Sequence, residues 1–134
     1  MITLRLVGLT LLCLLGSLVS ADAVGTKHFI LLADVVANKA DAEPIVTASY
    51  TTGVIHVCCT FDATVNILFS GDGENFETLE CISVSDRNSR GTSMIARGGM
   101  RCNLIGIGHL KLTVTNYISG TINASIDLAS AGVY

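Results

Sequence analysis

The sequence contains no tryptophan, a single proline and few charged or aromatic residues. The shortages of charge and of tryptophan each argue against a class of protein. Only 14% of the 134 residues are charged, and 50% are hydrophobic, a balance that fits neither a coiled coil nor a disordered chain. Eight basic residues are outnumbered by eleven acidic ones, whereas proteins that bind duplex nucleic acid usually have a basic excess. The lack of tryptophan also argues against a carbohydrate site built from aromatic rings. The length fits one small globular domain.

Motifs for catalysis and for phosphate or metal binding are also lacking. The sequence has no Gly-x-Ser-x-Gly elbow, and Gly98-Gly99 is not followed by the Lys-Ser/Thr of a phosphate-binding loop. It has no Cys-x-x-Cys pair, and its histidines show no ligand spacing. We therefore expect no enzymatic activity, no cofactor, no metal site and no small-molecule substrate. We interpret the histidines as strand residues: His28, His56 and His109.

An acidic stretch surrounds the glycine turn at residues 70–73. Carboxylates at this density can ligate Ca²⁺, but their spacing is not that of an EF-hand loop. We interpret the stretch as a solvated hairpin, with a calcium site as the alternative. Its members are Asp72, Glu74, Glu77 and Glu80.

The first 23 residues have the features of a secretory signal peptide. Arg5 supplies a positive charge, residues 6–15 form an apolar stretch, and Ala21-Asp22-Ala23 has the small-x-small form of a cleavage site. The alternative is an uncleaved apolar arm, so membrane contact is expected only through this segment. We divide the chain into this signal peptide or arm, residues 1–23, and a single domain, residues 24–134.

From residue 28 onward, hydrophobic residues mostly recur at every second position, as in strands with one buried face. For example, Leu110, Leu112 and Val114 alternate with polar residues. Glycine-rich turn signals separate the runs. The pattern predicts an all-β fold, an antiparallel β-sandwich, jelly-roll-like or immunoglobulin-like, of about eight short strands. Residues 33–42 also fit a short helix. The predicted strands are 28–36, 45–50, 54–61, 64–70, 76–84, 92–97, 101–107, 109–117 and 120–128.

Four cysteines remain once Cys13 in the apolar segment is set aside. An even number in a secreted chain permits two disulfides, with three possible connectivities. Adjacent cysteines in a strand point to opposite faces, so we expect at most one of the adjacent pair to face the core and meet a distant partner. The alternative is that all four are buried free thiols. The four are Cys58, Cys59, Cys81 and Cys102.

Basic and acidic residues are unevenly distributed along the second half of the chain. Four arginines fall in one short segment, whereas the acidic residues concentrate between residues 62 and 80. Such complementary patches suit a polar protein–protein interface; the alternative is a solvated loop face. Aromatic partners for nucleic acid are missing nearby, so we expect no nucleic-acid binding. The candidate interface residues are Arg87, Arg90, Arg97 and Arg101.

Two segments resemble recurring parts of phage virion proteins. Residues 70–79 (SGDGENFETL) are similar to a segment in which a strand ends in a Ser-x-Asp-Gly turn and the next strand begins with an aromatic residue and a leucine. Residues 112–122 (LTVTNYISGTI) are similar to the closing hairpin of the same proteins. The resemblance covers roughly residues 45–134. It implies a small β-sandwich used as a tail, neck or head-decoration component.

These observations together predict a non-enzymatic structural or assembly protein. We expect a virion component, such as a capsid decoration, neck or tail subunit, that packs against itself or against other virion or surface structural proteins. The alternative, supported by the signal-like segment, is a secreted cell-surface binding module, an adhesin or a surface-filament subunit. The expected location is therefore the virion, with the extracellular medium as the alternative.

Overall fold

The structure, a computed structural model, describes residues 26–130; the predicted signal peptide or arm, residues 1–23, lies outside them. This part of the chain is all-β and contains no helix, which confirms the predicted fold class. In particular, it has no helix long and apolar enough to cross a membrane. Its eleven strands are β1 (Thr26–Val35), β2 (Ile45–Val46), β3 (Thr52–Cys58), β4 (Phe61–Ser70), β5 (Glu77–Thr78), β6 (Cys81–Ser83), β7 (Arg90–Gly91), β8 (Ser93–Met94), β9 (Gly98–Asn103), β10 (His109–Gly120) and β11 (Ile122–Ala129).

The strands form two antiparallel sheets that pack face to face. Sheet A has six strands in the order β1-β11-β3-β9-β6-β7. Sheet B has the order β2-β10-β4-β5, and β8 also pairs with β4. The longest ladder in sheet B joins β10 to β4, with Leu112 opposite Ile67. In sheet A, β11 lies between β1 and β3, so it is covered on both sides.

The alternation predicted from the sequence is confirmed along the long strands. In β10, Leu110, Leu112 and Val114 are at most 1% exposed. Successive strand residues point to opposite faces, so each run places one set of side chains between the sheets. The same period buries residues of β3, β4 and β11, namely Ile55, Val57, Ala63, Val65, Ile67, Ile122, Ala124, Ile126 and Leu128.

The predicted short helix at residues 33–42 is wrong. Its first three residues complete β1, where Val35 is buried opposite Ile122. Asp34 has a φ of 49° within an irregular part of the β1–β11 ladder. The following residues run as a loop that Lys39 ties to Val114 through paired backbone hydrogen bonds of 2.9 and 2.8 Å. Burial against the core and pairing with sheet B therefore outweigh the weak helical preference of this segment.

Two predicted strands are each divided between the sheets. The segment predicted as 76–84 forms β5 in sheet B and β6 in sheet A, so the chain crosses between the sheets at residues 79–80. The segment predicted as 54–61 ends at Cys58, because Cys59 has a φ of 89° and Phe61 begins β4 in the other sheet. A period of two identifies buried faces but does not show where a strand changes sheets.

Two tight corners between the sheets lie side by side at one end of the sandwich, and we call them the corner end. Residues 59–60 join β3 to β4, and Thr121 joins β10 to β11. The Thr121 N–H donates a 3.3 Å hydrogen bond to the Thr60 carbonyl, linking the two corners. Gly120 has a φ of 94°, and a Cβ there would overlap the Thr60 carbonyl oxygen. The close approach of the two corners therefore requires glycine at this position.

Candidate interaction surface

Two of the four candidate arginines share a row on the outer face of sheet A. Ile82 of β6 lies opposite Arg90 of β7 on one side and opposite Arg101 of β9 on the other. Directly opposed residues point to the same face, and both arginines are exposed. The Arg90 Nη1 lies 3.8 Å from Glu80 Oε1 at the surface. The sheet thus presents one guanidinium group on each side of the half-buried Ile82.

The other two arginines have different positions. Arg97 follows β8 and lines, together with Arg90, an open cleft of about 370 Å³ that Met94 and Met100 also border. Arg87 lies in the loop between β6 and β7, is exposed, and does not line that cleft. Arg90 therefore belongs both to the row and to the cleft, whereas Arg87 belongs to neither. Their role in an interface remains a prediction.

An apolar contact area adjoins the arginine row. Ile105, in the loop after β9, is 71% exposed. Together with Ile82, Arg101 and Thr52 it lines an open cleft of about 360 Å³ on sheet A. Arginine is enriched at protein–protein interfaces, whose buried centre is more apolar than the rest of the protein surface.

The acidic stretch runs from the end of β4 to the crossing between the sheets at residues 79–80, and Asp72 closes the turn after β4. Its Oδ1 accepts 2.9 Å hydrogen bonds from the backbone N–H groups of Asn75 and Glu74 and a 2.8 Å bond from the Ser70 hydroxyl. The side-chain amide of Asn75 donates to Oδ2 at 2.8 Å. These bonds, led by those from the Asn75 and Glu74 backbones, hold the pKa of Asp72 well below its usual range. The carboxylate therefore serves the turn itself, and within residues 26–130 no three His, Cys, Asp or Glu side chains are arranged to hold a metal ion.

A cluster of two histidines and an aspartate occupies the outer face of sheet A. Asp127 of β11 lies between β1 and β3, with its Oδ1 2.6 Å from His28 Nδ1 and its Oδ2 3.5 Å from His56 Nε2. All three side chains are more than half exposed. The sequence interpretation treated the histidines singly and missed this cluster. The sequence signal that could have pointed to the cluster is that all three residues occupy outward positions of their strands.

A cavity of about 190 Å³ lies beside this cluster. Its lining joins both histidines to polar groups of β11 and to the end of β3: His28, Ile30, Leu32, His56, Cys58, Asn123, Ala124 and Ser125. Three strands contribute to it because β1, β11 and β3 are neighbours in sheet A. The cavity is therefore a product of strand order and not of any local motif.

The four cysteines form two disulfides of different kinds. Cys81 and Cys102 are joined between β6 and β9, are buried, and have Cα atoms 4.6 Å apart. Cys58 is bonded to its neighbour Cys59, and both are exposed at the corner end. The expectation that one of the adjacent pair meets Cys81 or Cys102 is wrong. Its premise fails because Cys59, with a φ of 89°, has left the strand geometry that sends adjacent side chains to opposite faces.

Comparison with solved structures finds two proteins with a similar fold. No protein-family model matches the chain, and no curated protein matches it in sequence. The SPBc2 prophage-derived protein YomS superposes with a TM-score of 0.72 at 10% identity, over 78% of this chain and 93% of that one. The PBSX exported protein XepA gives the same TM-score, identity and coverage of this chain. The aligned region spans 38% of XepA. The chain thus has the fold of two phage-derived proteins.

Proposed function

We propose that this protein is a non-enzymatic structural subunit of a phage particle, such as a capsid decoration, neck or tail component. The observation that carries the proposal is the fold shared with two phage-derived proteins over 78% of the chain. The protein acts by packing against copies of itself or against other virion proteins. Its partners are proteins, not nucleic acid or small molecules, and its location is the virion.

The outer face of sheet A supplies the contact chemistry for this role. Arg101 and Ile82 belong to both the arginine row and the apolar cleft, so charge and apolar area meet at one place. Arginine can form paired hydrogen bonds with a carboxylate of a partner, and burial of the exposed Ile105 adds apolar contact. The arginines set orientation and specificity, and the isoleucines contribute affinity.

The β1 edge of sheet A offers a second way to pack. Among the described residues, β1 pairs with β11 on one side and with no strand on the other. The ladder is regular from Thr26 to Ile30 and irregular beyond. Unpaired backbone groups along such an edge can accept a strand from a neighbouring subunit. Ile30, 64% exposed on this edge, would be covered by that contact.

The non-enzymatic part of the proposal is supported by the arrangement of Ser125, His56 and Asp127, the residue types of a hydrolytic triad, on one face of sheet A. Ser125 lies opposite His56 in the ladder, yet no hydrogen bond joins their side chains among the described residues. A triad needs a nucleophile bonded to its base and a buried, orienting carboxylate. Asp127 is 58% exposed and lies closer to His28 than to His56.

The alternative is a secreted cell-surface binding module, adhesin or surface-filament subunit, located outside the cell. One comparison favours it, since XepA is described as an exported protein. The signal-like residues 1–23 agree with export. In this case the same face of sheet A would bind a surface component instead of a virion partner.

Fractionation of a lysate from the phage or lysogen that carries the gene tests the proposal. Density-gradient particles and the particle-free supernatant are compared by quantitative mass spectrometry of this chain. We expect a fixed number of copies per particle, and we expect Arg101→Glu to lower incorporation. Arg87→Glu makes the same charge change at a residue outside the arginine row and outside both clefts, so it is the matched control. A chain found only in the supernatant, and shortened by about 23 residues, would instead support the secreted module.

A further inference from the structure

The disulfide at the corner end closes no long loop of the chain. Cys58 and Cys59 are adjacent, so their bond closes the smallest ring that a chain allows, and both side chains are exposed. A disulfide stabilises the fold by lowering the conformational entropy of the unfolded chain, and the effect grows with the logarithm of the number of residues in the closed loop. A bond between adjacent residues therefore contributes little stabilisation of this kind. Its position at the surface, beside a cavity, instead makes it accessible to small reactants.

The backbone at this disulfide has an uncommon conformation. Cys59 has a φ of 89°, in the left-handed region that residues other than glycine rarely adopt. The residue also stands at the corner where the chain leaves sheet A for sheet B. Opening the ring would let Cys59 relax toward a common conformation. The closed ring therefore favours a corner geometry that the free dithiol holds less strongly.

The surroundings favour attack at one of the two sulfur atoms. Cys58 lines the 190 Å³ cavity, so a small thiol entering it meets this residue. The Asn123 side chain accepts a 2.8 Å hydrogen bond from the Asp34 N–H through Oδ1. That bond fixes the amide so that its Nδ2 donates toward Cys59 Sγ at 3.8 Å. The amide N–H is thus placed to stabilise a thiolate on Cys59.

We propose that Cys58–Cys59 is a reversible exchange site for small thiols of the glutathione class. A thiolate in the cavity attacks Cys58 Sγ, the Cys58–Cys59 bond breaks, and Cys59 leaves with the electron pair as a thiolate that then takes up a proton. A second thiolate attacks the mixed disulfide on Cys58 and releases the oxidised small disulfide and the Cys58 thiolate, which is protonated in turn. In total, two thiols lose two electrons and two protons, and the protein gains them.

The exchange acts on the corner end alone. The Thr60 carbonyl, one residue beyond Cys59, accepts the hydrogen bond that joins the two corners. Relaxation of Cys59 therefore loosens this link, whereas the buried Cys81–Cys102 bond keeps β6 and β9 together. Asn123 acts on the leaving sulfur of Cys59 and not on the incoming thiol.

Timed reduction of the purified full chain tests the proposal. The protein is mixed with excess reduced glutathione, quenched at successive times, alkylated and mapped by peptide mass spectrometry, so the reduction rate of each cysteine is read separately. We expect Cys58 and Cys59 to become alkylated together while Cys81 and Cys102 stay bonded, with reduction at least about tenfold faster at the exposed pair.

Two asparagine variants test the role assigned to the amide. Asn123→Asp keeps an acceptor for the Asp34 N–H and removes the donor to Cys59, so reduction should slow by about tenfold. Asn66→Asp, at a residue that donates to Thr115 Oγ1 on sheet B, is the matched control and should leave the rate unchanged. Equal rates in the two variants would overturn the role of Asn123. Reduction of the exposed pair no faster than that of Cys81–Cys102, or alkylation before any thiol is added, would overturn the exchange site itself.

Discussion

The two disulfides join very different distances along the chain and lie in opposite environments. Cys81 and Cys102 are 21 residues apart, at most 1% exposed, and belong to neighbouring strands. Cys58 and Cys59 are one residue apart and exposed. The first bond ties together parts of the chain that are independent before folding, whereas the second ties residues that the peptide bond already holds. The same covalent chemistry therefore serves stability in one place and leaves reactivity in the other.

The neighbourhood of each disulfide agrees with this difference. The buried bond fastens β6, a strand of three residues that pairs with the two-residue β7 on its far side. Such short ladders supply few hydrogen bonds, so the disulfide provides a further attachment that holds β6 to β9. The exposed bond lies where β3 and β4 already have long ladders with other strands. Its removal leaves those ladders intact.

Removal of the buried disulfide should have the largest effect on stability. Cys81→Ala combined with Cys102→Ala frees a loop of about 20 residues in the unfolded chain, so the free energy of unfolding should fall by about 3 kcal/mol. Urea denaturation at neutral pH measures this loss.

The exposed pair provides the contrast in the same experiment. Cys58→Ser combined with Cys59→Ser should change the free energy of unfolding by less than about 1 kcal/mol, because no long loop is released and no buried contact is lost. Equal losses in the two double variants would break the comparison, since both disulfides would then act as structural links.

A glycine at the corner end should have the next largest effect. Gly120→Ala imposes a φ of 94° on alanine and drives its Cβ into the Thr60 carbonyl, so we expect a loss of roughly 2 kcal/mol. Gly106→Ala is the matched control, because Gly106 has a φ of 80° but no atom within 4 Å of an added Cβ. That variant should lose only about 1 kcal/mol. If the two losses were equal, the corner end would depend on backbone conformation alone and not on the contact between its corners.

The smallest effect should come from replacing Asp72, which closes its turn through hydrogen bonds and not through a covalent bond. Hydrogen bonds to the ionised carboxylate lower its pKa in the folded chain, whereas in the unfolded chain the pKa stays near 3.9. The stabilisation is therefore complete above about pH 4 and is lost as the pH falls further. The stability difference between the protein and Asp72→Asn, followed by denaturation from pH 7 to pH 3, should shrink at the acid end. A difference that is the same at both ends would show that the carboxylate is not held in its ionised form.

The sequence predicted the fold far better than the surface. Alternation along β10 and β11 identified Leu112 and Ile126 as core residues, because burial of one face imposes a period of two. The same rule failed at Cys59 and at residues 79–80, where the chain changes sheets. It also could not place Asp127 beside both histidines, since that contact depends on β11 lying between β1 and β3.

The sequence by itself determined that the chain after residue 28 forms strands with one apolar face, since that property belongs to each segment separately. Only the tertiary structure decided which cysteines bond and which arginines meet. Cys59 turns out of its strand because the chain must reach the other sheet, and Arg90 joins Arg101 because β6 lies between their strands. These outcomes depend on strand order and register, which are set by how distant segments bury their apolar faces against one another.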